Sequence, residues 1–200
     1  MIEQGTNEWH LMRLGKVTGS RVAELMAKTK SGEAASRKNY MMELLCQRLT
    51  GKREESFNSL AMQRGTELEP IARSFYEAAN NVMVEESSFV FHPVIKAFGA
   101  SPDGFVGNDG LIEIKCPNTA QHIDFITTKK PDGKYIWQMQ AQMACTGRKW
   151  CDFVSFDDRL PERLQFDSVR VWRDDEKIAE MEAEIVKFLD ELDALELRFK

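Results

Sequence analysis

Two carboxylates and one ammonium fall close together in the middle of this 200-residue chain. Asp103 lies in Ser101-Pro102-Asp103-Gly104. Glu113 and Lys115 lie in Leu111-Ile112-Glu113-Ile114-Lys115-Cys116-Pro117. On one shared face, such residues have a definite use. Two carboxylates hold a hard, oxygen-seeking cation such as Mg²⁺, which keeps several waters for a phosphate ester. A lysine beside them orients an attacking water or steadies the charge that develops on phosphorus. The chemistry on offer is metal-assisted hydrolysis of a phosphodiester. Taken alone the pattern is loose, because Glu-x-Lys on a strand is usually a solvated face and Asp-Gly usually a turn.

The element that must position these groups reads as a β-hairpin. Phe98 to Val106 supplies one arm, Leu111 to Lys115 the other, and Gly107-Asn108-Asp109-Gly110 the turn. A three-residue loop, Asn108 to Gly110 with Gly110 left-handed, places Asp103 opposite Lys115. Side chains alternate along a strand. Asp103, Glu113 and Lys115 then crowd one face, while Ile112 and Ile114 point into the core.

Other elements offer further groups. Glu8 to Leu14 reads as a short helix stopped by Gly15, and Thr18 and Ser20 as N-caps of a helix over Arg21 to Lys28. An arginine (Arg13) and a serine (Ser20) beside a helix N-terminus can grip a phosphate; the plainer reading is one surface arginine and one capping serine. Lys28 to Arg37 reads as a polar, mobile loop, Asn39 to Leu49 as a helix ending at Gly51, and Gly51 to Glu55 as a turn. Phe57 to Asn80 is helical. Within it Thr66 to Glu69 has capping-box form, with Pro70 in the first turn. Glu69 is thus either a structural cap or a third carboxylate for the site, and Glu67 rivals it.

Val82 to Glu85 and Phe89 to Phe91 read as strands, and Asn118 to Thr128 as a helix whose His122 is a packing or surface residue. Tyr135 to Thr146 is a strong helix with Gln138 and Gln142 stacked on one side and Met139 and Met143 facing the core. The glutamines are either a polar stripe or amides for an active site. Cys151 to Phe156 and Phe166 to Trp172 alternate as late strands. Asp174 to Glu176 open a long helix striped by Ile178, Met181, Ile185, Phe188, Leu189 and Leu192, which packs on the sheet or on another subunit. The order predicts an α/β fold with a central mixed sheet flanked by helices.

Composition excludes several classes. The formal net charge of -5 argues against indiscriminate coating of nucleic acid, though not against a local basic groove. The four cysteines, Cys46, Cys116, Cys145 and Cys151, have no CxxC pairing and no zinc spacing, so reduced thiols are expected. No apolar run approaches a membrane-spanning length.

Asp103 followed by Glu113-Ile114-Lys115 resembles the PD-(D/E)xK nuclease signature. Beyond it, the chain is similar to the lambda-exonuclease-like viral recombination nucleases over nearly its whole length. The likeness rests on ordered segments: Gln4-Gly5-Thr6-x-Glu8-Trp9, Arg13-Leu14-Gly15-x-Val17-Thr18-x-Ser20, Gly65-x-x-x-Glu69, Ser101-Pro102-Asp103-Gly104, Leu111-x-Glu113-x-Lys115-Cys116-Pro117 and Tyr135-x-x-Gln138-x-Gln140. The resemblance implies a single nuclease domain over residues 1–200 with a restriction-endonuclease-like core. It implies processive 5′-to-3′ digestion of one strand of linear duplex DNA, preference for a 5′-phosphate, and a 3′ overhang for a single-strand annealing recombinase.

It further implies Mg²⁺, with Mn²⁺ as a substitute, held by Asp103, Glu113 and the carbonyl of Ile114. Glu69, Lys115 and Gln138 fall on catalytic positions, which selects Glu69 over Glu67. Arg13, Ser20 and Ser101 fall on the pocket for the terminal phosphate. A homotrimer, no membrane and the cytoplasm of a bacterium carrying the virus or its prophage complete the implied picture. The alternatives are a restriction- or repair-type endonuclease on the same fold, or a non-catalytic protein that binds DNA ends.

Overall fold

The computed structural model describes residues 2–29, 32–53 and 59–199. The first half contains α1 (Asn7–Arg13), β1 (Val17–Thr18), a 3₁₀ turn (Gly19–Arg21), α2 (Val22–Met26), β2 (Lys28–Thr29), β3 (Gly32–Glu33), α3 (Ala35–Thr50), α4 (Leu60–Asn80), β4 (Val84–Glu85), β5 (Val90–Phe91) and β6 (Phe98–Ala100). The second half contains β7 (Gly104–Val106), β8 (Gly110–Lys115), α5 (Thr119–Thr128), α6 (Gly133–Thr146), β9 (Trp150–Phe156), β10 (Phe166–Trp172) and α7 (Asp175–Glu196).

Strand β8 is the middle of a five-stranded mixed sheet ordered β10-β9-β8-β7-β4. It pairs parallel with β9 and antiparallel with β7. A central strand is covered on both faces, and its near-continuous apolar run fits that place. Ile112 and Ile114 pack with Leu68, Ala72 and Tyr76 of α4. Leu111 packs with Phe125 of α5 and Met139 and Met143 of α6. Each such side chain contributes about 1.5–3 kcal/mol by leaving water. Glu113 shares the face of Leu111, so it too lies under a helix and is fully buried.

A second, three-stranded sheet, β1-β6-β5, sits beside a helical core. There the full apolar stripe of α7 is buried with residues of α2, α3 and α6. Helix α7 therefore packs on helices of its own chain, not on the large sheet. Asp174 caps it by accepting from Lys177 N–H at 3.0 Å. Among the described residues no helix is long and apolar enough to cross a membrane.

Several sequence expectations are corrected. The arm expected over Phe98 to Val106 is two strands in two sheets, because Ser101-Pro102-Asp103 breaks the ladder. Positive φ falls on Gly107 (52°), not Gly110, and Val106 pairs with Gly110. Gly110 is needed elsewhere: a Cβ there would lie 2.1 Å from the Trp150 ring. The register moves by two residues, which brings Asp103 level with Glu113 instead of Lys115. A two-residue shift leaves every side chain on its expected face.

Thr66 is no cap. Helix α4 runs unbroken through it and through Pro70 and is capped by Ser59, which accepts from Met62 N–H at 3.2 Å. The Thr66 hydroxyl instead donates to Met62 O one turn back. The expected start of that helix at Phe57 lies outside the described residues, as does the end of the Gly51–Glu55 turn. Neither Thr18 nor Ser20 caps by its side chain. Val17-Thr18 is a strand beside β6, and Thr18 N–H donates to the buried Tyr40 hydroxyl at 3.0 Å. The expected loop from Lys28 to Arg37 holds the β2–β3 ribbon and the first turn of α3.

Candidate active site

The parallel β8–β9 pairing fixes Glu113 between the sheet and α6. Buried carboxylates need donors. Here α6 supplies two, one turn apart: Gln138 Nε2 donates to Oε1 at 2.7 Å and Gln142 Nε2 to Oε2 at 2.5 Å. Lys115 completes the set with an ion pair to Glu113 Oε1. The structure thus brings Glu113, Lys115 and Gln138 into one cluster.

Asp103 joins it from the broken loop. Its Oδ2 accepts from the Ile114 N–H at 2.6 Å, and its own N–H donates to Ile112 O at 3.2 Å. Within a strand residue, N–H and C=O point to the same edge. The Ile114 carbonyl therefore faces the Asp103 edge, beyond the last ladder pair at Gly104. Arg73 donates to the Asp103 carbonyl at 2.9 Å and pairs with Glu69 at 3.5 Å, one turn back on α4. Glu69 and Asp103 line one cavity of about 600 Å³, while Glu67 is exposed outside it.

The charges confirm crowding. Burial, with Glu113 adding to it, pushes the Asp103 carboxyl well above the usual range. Burial also raises Glu69, Arg73 opposing and Glu113 reinforcing. Burial works against the Lys115 ammonium, but Glu113 and Asp103 outweigh it and hold the group charged. Carboxylates that resist ionisation together are short of positive charge.

Among the described residues no group of three or more His, Cys, Asp and Glu side chains is placed to hold a metal ion. The oxygen donors that could hold one are Asp103, Glu113 and the Ile114 carbonyl, with Glu69 lining the same cavity as Asp103. That open, all-oxygen set suits Mg²⁺, which is bound through one or two carboxylates and keeps its waters.

Beside the carboxylates, Arg13, Ser20, Ser101, Asp103 and Gln138 share a cavity of about 130 Å³. The Arg13 guanidinium lies 3.8 Å above the Trp9 ring. No carboxylate pairs with it among the described residues. Burial, only partly opposed by Tyr40, lowers it to about 10, so it stays charged at neutral pH. Trp9 Nε1 donates to Ser101 Oγ at 3.0 Å and Gln4 Nε2 to the Pro102 carbonyl at 2.8 Å. The N-terminal segment thereby buttresses the loop that carries Asp103.

In the sequence Gln142, like Gln138, stays open between a polar stripe and an active-site amide, because nothing local says which side of α6 is covered. It is fully buried and also reaches the Ser101 carbonyl at 3.3 Å. Sequence reasoning gives Arg73 and Trp9 no role of their own, since their contacts to Asp103 and Ser101 lie far away in the chain. Of the surface and packing roles expected for His122, the structure shows packing: it is buried against Ser155 Oγ at 2.7 Å and Leu164 O at 2.8 Å. The four cysteines are free.

Comparison with known proteins agrees with this architecture. No curated protein matches the sequence significantly. Residues 8–149 match the model of the YqaJ-like viral recombinase domain. An alkaline exonuclease from Laribacter hongkongensis (LHK-Exo) is 58% identical, with a TM-score of 0.92 over 97% of this chain and 96% of that one. The structure of LHK-Exo in complex with dAMP aligns equally well, at 58% identity and TM-score 0.92 over 98% and 96%. A phage-related exonuclease from Haemophilus somnus 129PT, at 16% identity, shares the fold with a TM-score of 0.77 over 92% and 96%. The chain belongs to the YqaJ-like viral recombinase family, the lambda-exonuclease-like group, and is a nuclease.

Proposed function

We propose that the protein is a Mg²⁺-dependent exonuclease that digests one strand of linear duplex DNA from 5′-phosphorylated ends and leaves 3′ overhangs. The observation that carries the reading is Arg13, paired with no carboxylate among the described residues and stacked on Trp9 in a cavity that also holds Asp103 and Gln138. A guanidinium without a carboxylate is a seat for a terminal phosphate, through charge-assisted hydrogen bonds. Ser20 and Ser101 add hydroxyl donors at the same cavity.

In this mechanism the Arg13 pocket holds the strand end, so the first internucleotide phosphate falls at the carboxylates. Mg²⁺ held by Asp103, Glu113 and the Ile114 carbonyl would supply positive charge to the phosphodiester and acidify water. Lys115, ion-paired with Glu113, steadies the negative charge that grows on phosphorus. Glu69, half-exposed and raised in pKa, orients the attacking water from across the cleft. Gln138 fixes the Glu113 carboxylate. The same reading takes residues 1–200 as one nuclease domain. Its implied setting is a homotrimer in the bacterial cytoplasm, serving a strand-annealing recombinase.

The test uses linear duplexes labelled separately at each end, with 5′-phosphate or 5′-hydroxyl, and closed circles as control. Stepwise loss from phosphorylated 5′ ends with intact circles is expected. In Arg13→Ala the phosphate preference should fall by about ten- to a hundredfold, the worth of a charge-assisted pair. Cut circles would replace this reading with an endonuclease. Equal relative losses on both kinds of end would remove Arg13 from the pocket.

A further inference from the structure

Arg13, Thr18 and Ser20 also line a second cavity, of about 290 Å³, whose other walls include His10, Lys16, Arg21, Glu43 and Arg53. Among the described residues its walls carry the cations Arg13, Lys16, Arg21 and Arg53 and the carboxylate Glu43; Arg21 is itself held by Glu24 and Glu43. In a chain of net charge -5, Arg13 and Lys16 here face the cavity with no carboxylate pairing either among the described residues. The carboxylate is already committed, since Glu43 accepts from Arg21 at 2.9 Å and from Gln47 at 3.2 Å. Lys16 donates to the Leu14 carbonyl at 3.4 Å, and no carboxylate pairs with it among the described residues. His10 Nδ1 accepts from Arg53 Nη1 at 2.9 Å, which leaves Nε2–H as a donor.

One phosphate on Arg13 satisfies Arg13 alone. Lys16 and His10 remain beyond it, in a space just under the range that encloses drug-sized ligands. Among the described lining residues the Tyr40 ring offers a nucleobase no free face. The Tyr40 ring is covered by Arg21 at 4.4 Å and stacked on Phe188 at 5.7 Å. The walls suit phosphoryl oxygens instead.

We propose that this cavity is a second anion subsite, which accepts the β- and γ-phosphoryl groups of a 5′-di- or triphosphorylated strand, with Lys16 and His10 as partners. The inference rests on the end-recognition reading above. The hydrolysis itself is unchanged. Water adds to the first internucleotide phosphorus, the P–O3′ bond breaks, and O3′ leaves with a proton. The products are a deoxynucleoside 5′-triphosphate and a shortened strand ending in a 5′-phosphate.

The experiment compares one duplex bearing 5′-hydroxyl, 5′-monophosphate or 5′-triphosphate. Alongside it, inorganic tripolyphosphate and phosphate are titrated into the full-length protein by calorimetry in metal-free buffer. Triphosphate ends should be digested at least as efficiently as monophosphate ends, with a nucleoside triphosphate as first product. Tripolyphosphate should bind at least about tenfold more tightly than phosphate, one charge-assisted contact being worth that much. Lys16→Gln should lower the triphosphate-to-monophosphate ratio of kcat/KM by a similar factor, and Lys16→Arg should restore it. Triphosphate ends digested as slowly as hydroxyl ends, with monophosphate ends still preferred, would overturn the subsite and leave end recognition standing. Indifference to all three ends would overturn both.

Discussion

Gln138 and Gln142 donate to the two oxygens of one carboxylate, yet removing them should have unequal consequences. Gln142 is fully buried, and Gln138 is half-buried at the mouth of the site. Gln142→Leu keeps the volume and deletes the 2.5 Å contact to Glu113 and the 3.3 Å contact to the Ser101 carbonyl. A hydrogen bond to a charged group is worth about 1.5–3 kcal/mol, and no water can replace this one. The longer, neutral contact adds roughly 0.5 kcal/mol. The expected loss is therefore about 2–3.5 kcal/mol, or roughly 5–10 °C in Tm for a chain of this size. In Gln138→Leu water takes over the lost bond, and the cost should stay under about 1 kcal/mol. Because Gln142 also ties Glu113 to the loop bearing Asp103, its loss should lower kcat by about tenfold or more through misplacement. Urea denaturation and steady-state digestion of phosphorylated duplex measure both. Equal stability losses in the two variants, or wild-type turnover in Gln142→Leu, would refute the buried-donor argument.

Lys115→Ala should abolish cleavage while leaving duplex ends bound in a gel-shift assay; turnover at the wild-type rate would sink the assignment of Lys115. The raised pKa values of Asp103 and Glu69 carry a sign. Groups raised on folding favour the metal-free fold at acidic pH, and this contribution is lost as pH rises through the raised values. Mg²⁺ binds their ionised forms, so its stabilising effect should grow over the same interval. Thermal melts with and without Mg²⁺ across mildly acidic to alkaline pH test this, and a shift independent of pH would count against the carboxylate site. Gly110→Ala should destabilise by at least about 1–3 kcal/mol through overpacking against Trp150, seen as a lower urea midpoint at unchanged slope.

The sequence by itself determined whatever rests on periodicity and local chemistry. Strands β9 and β10 and helices α6 and α7 fall within two residues of where alternation and three-to-four spacing put them. The shared face of Asp103, Glu113 and Lys115 also follows from alternation, which survives a two-residue change of register. Gly51 stops its helix in the left-handed conformation (φ 65°) because that need is local.

What tertiary structure decided was everything that depends on what covers a face. The Phe98–Val106 arm looks like one strand, yet its halves serve two sheets, and no local signal marks the exchange. The capping-box pattern at Thr66 is overridden because α4 gains more by lying unbroken along the sheet, burying Leu68, Ala72 and Tyr76. The hairpin register was settled by Trp150, forty residues away, which leaves room only for a glycine at position 110. Gln142 stays open between a surface stripe and an active-site amide until α6 is docked over Glu113. Docking removes water from that carboxylate, and only then must the helix supply its donors.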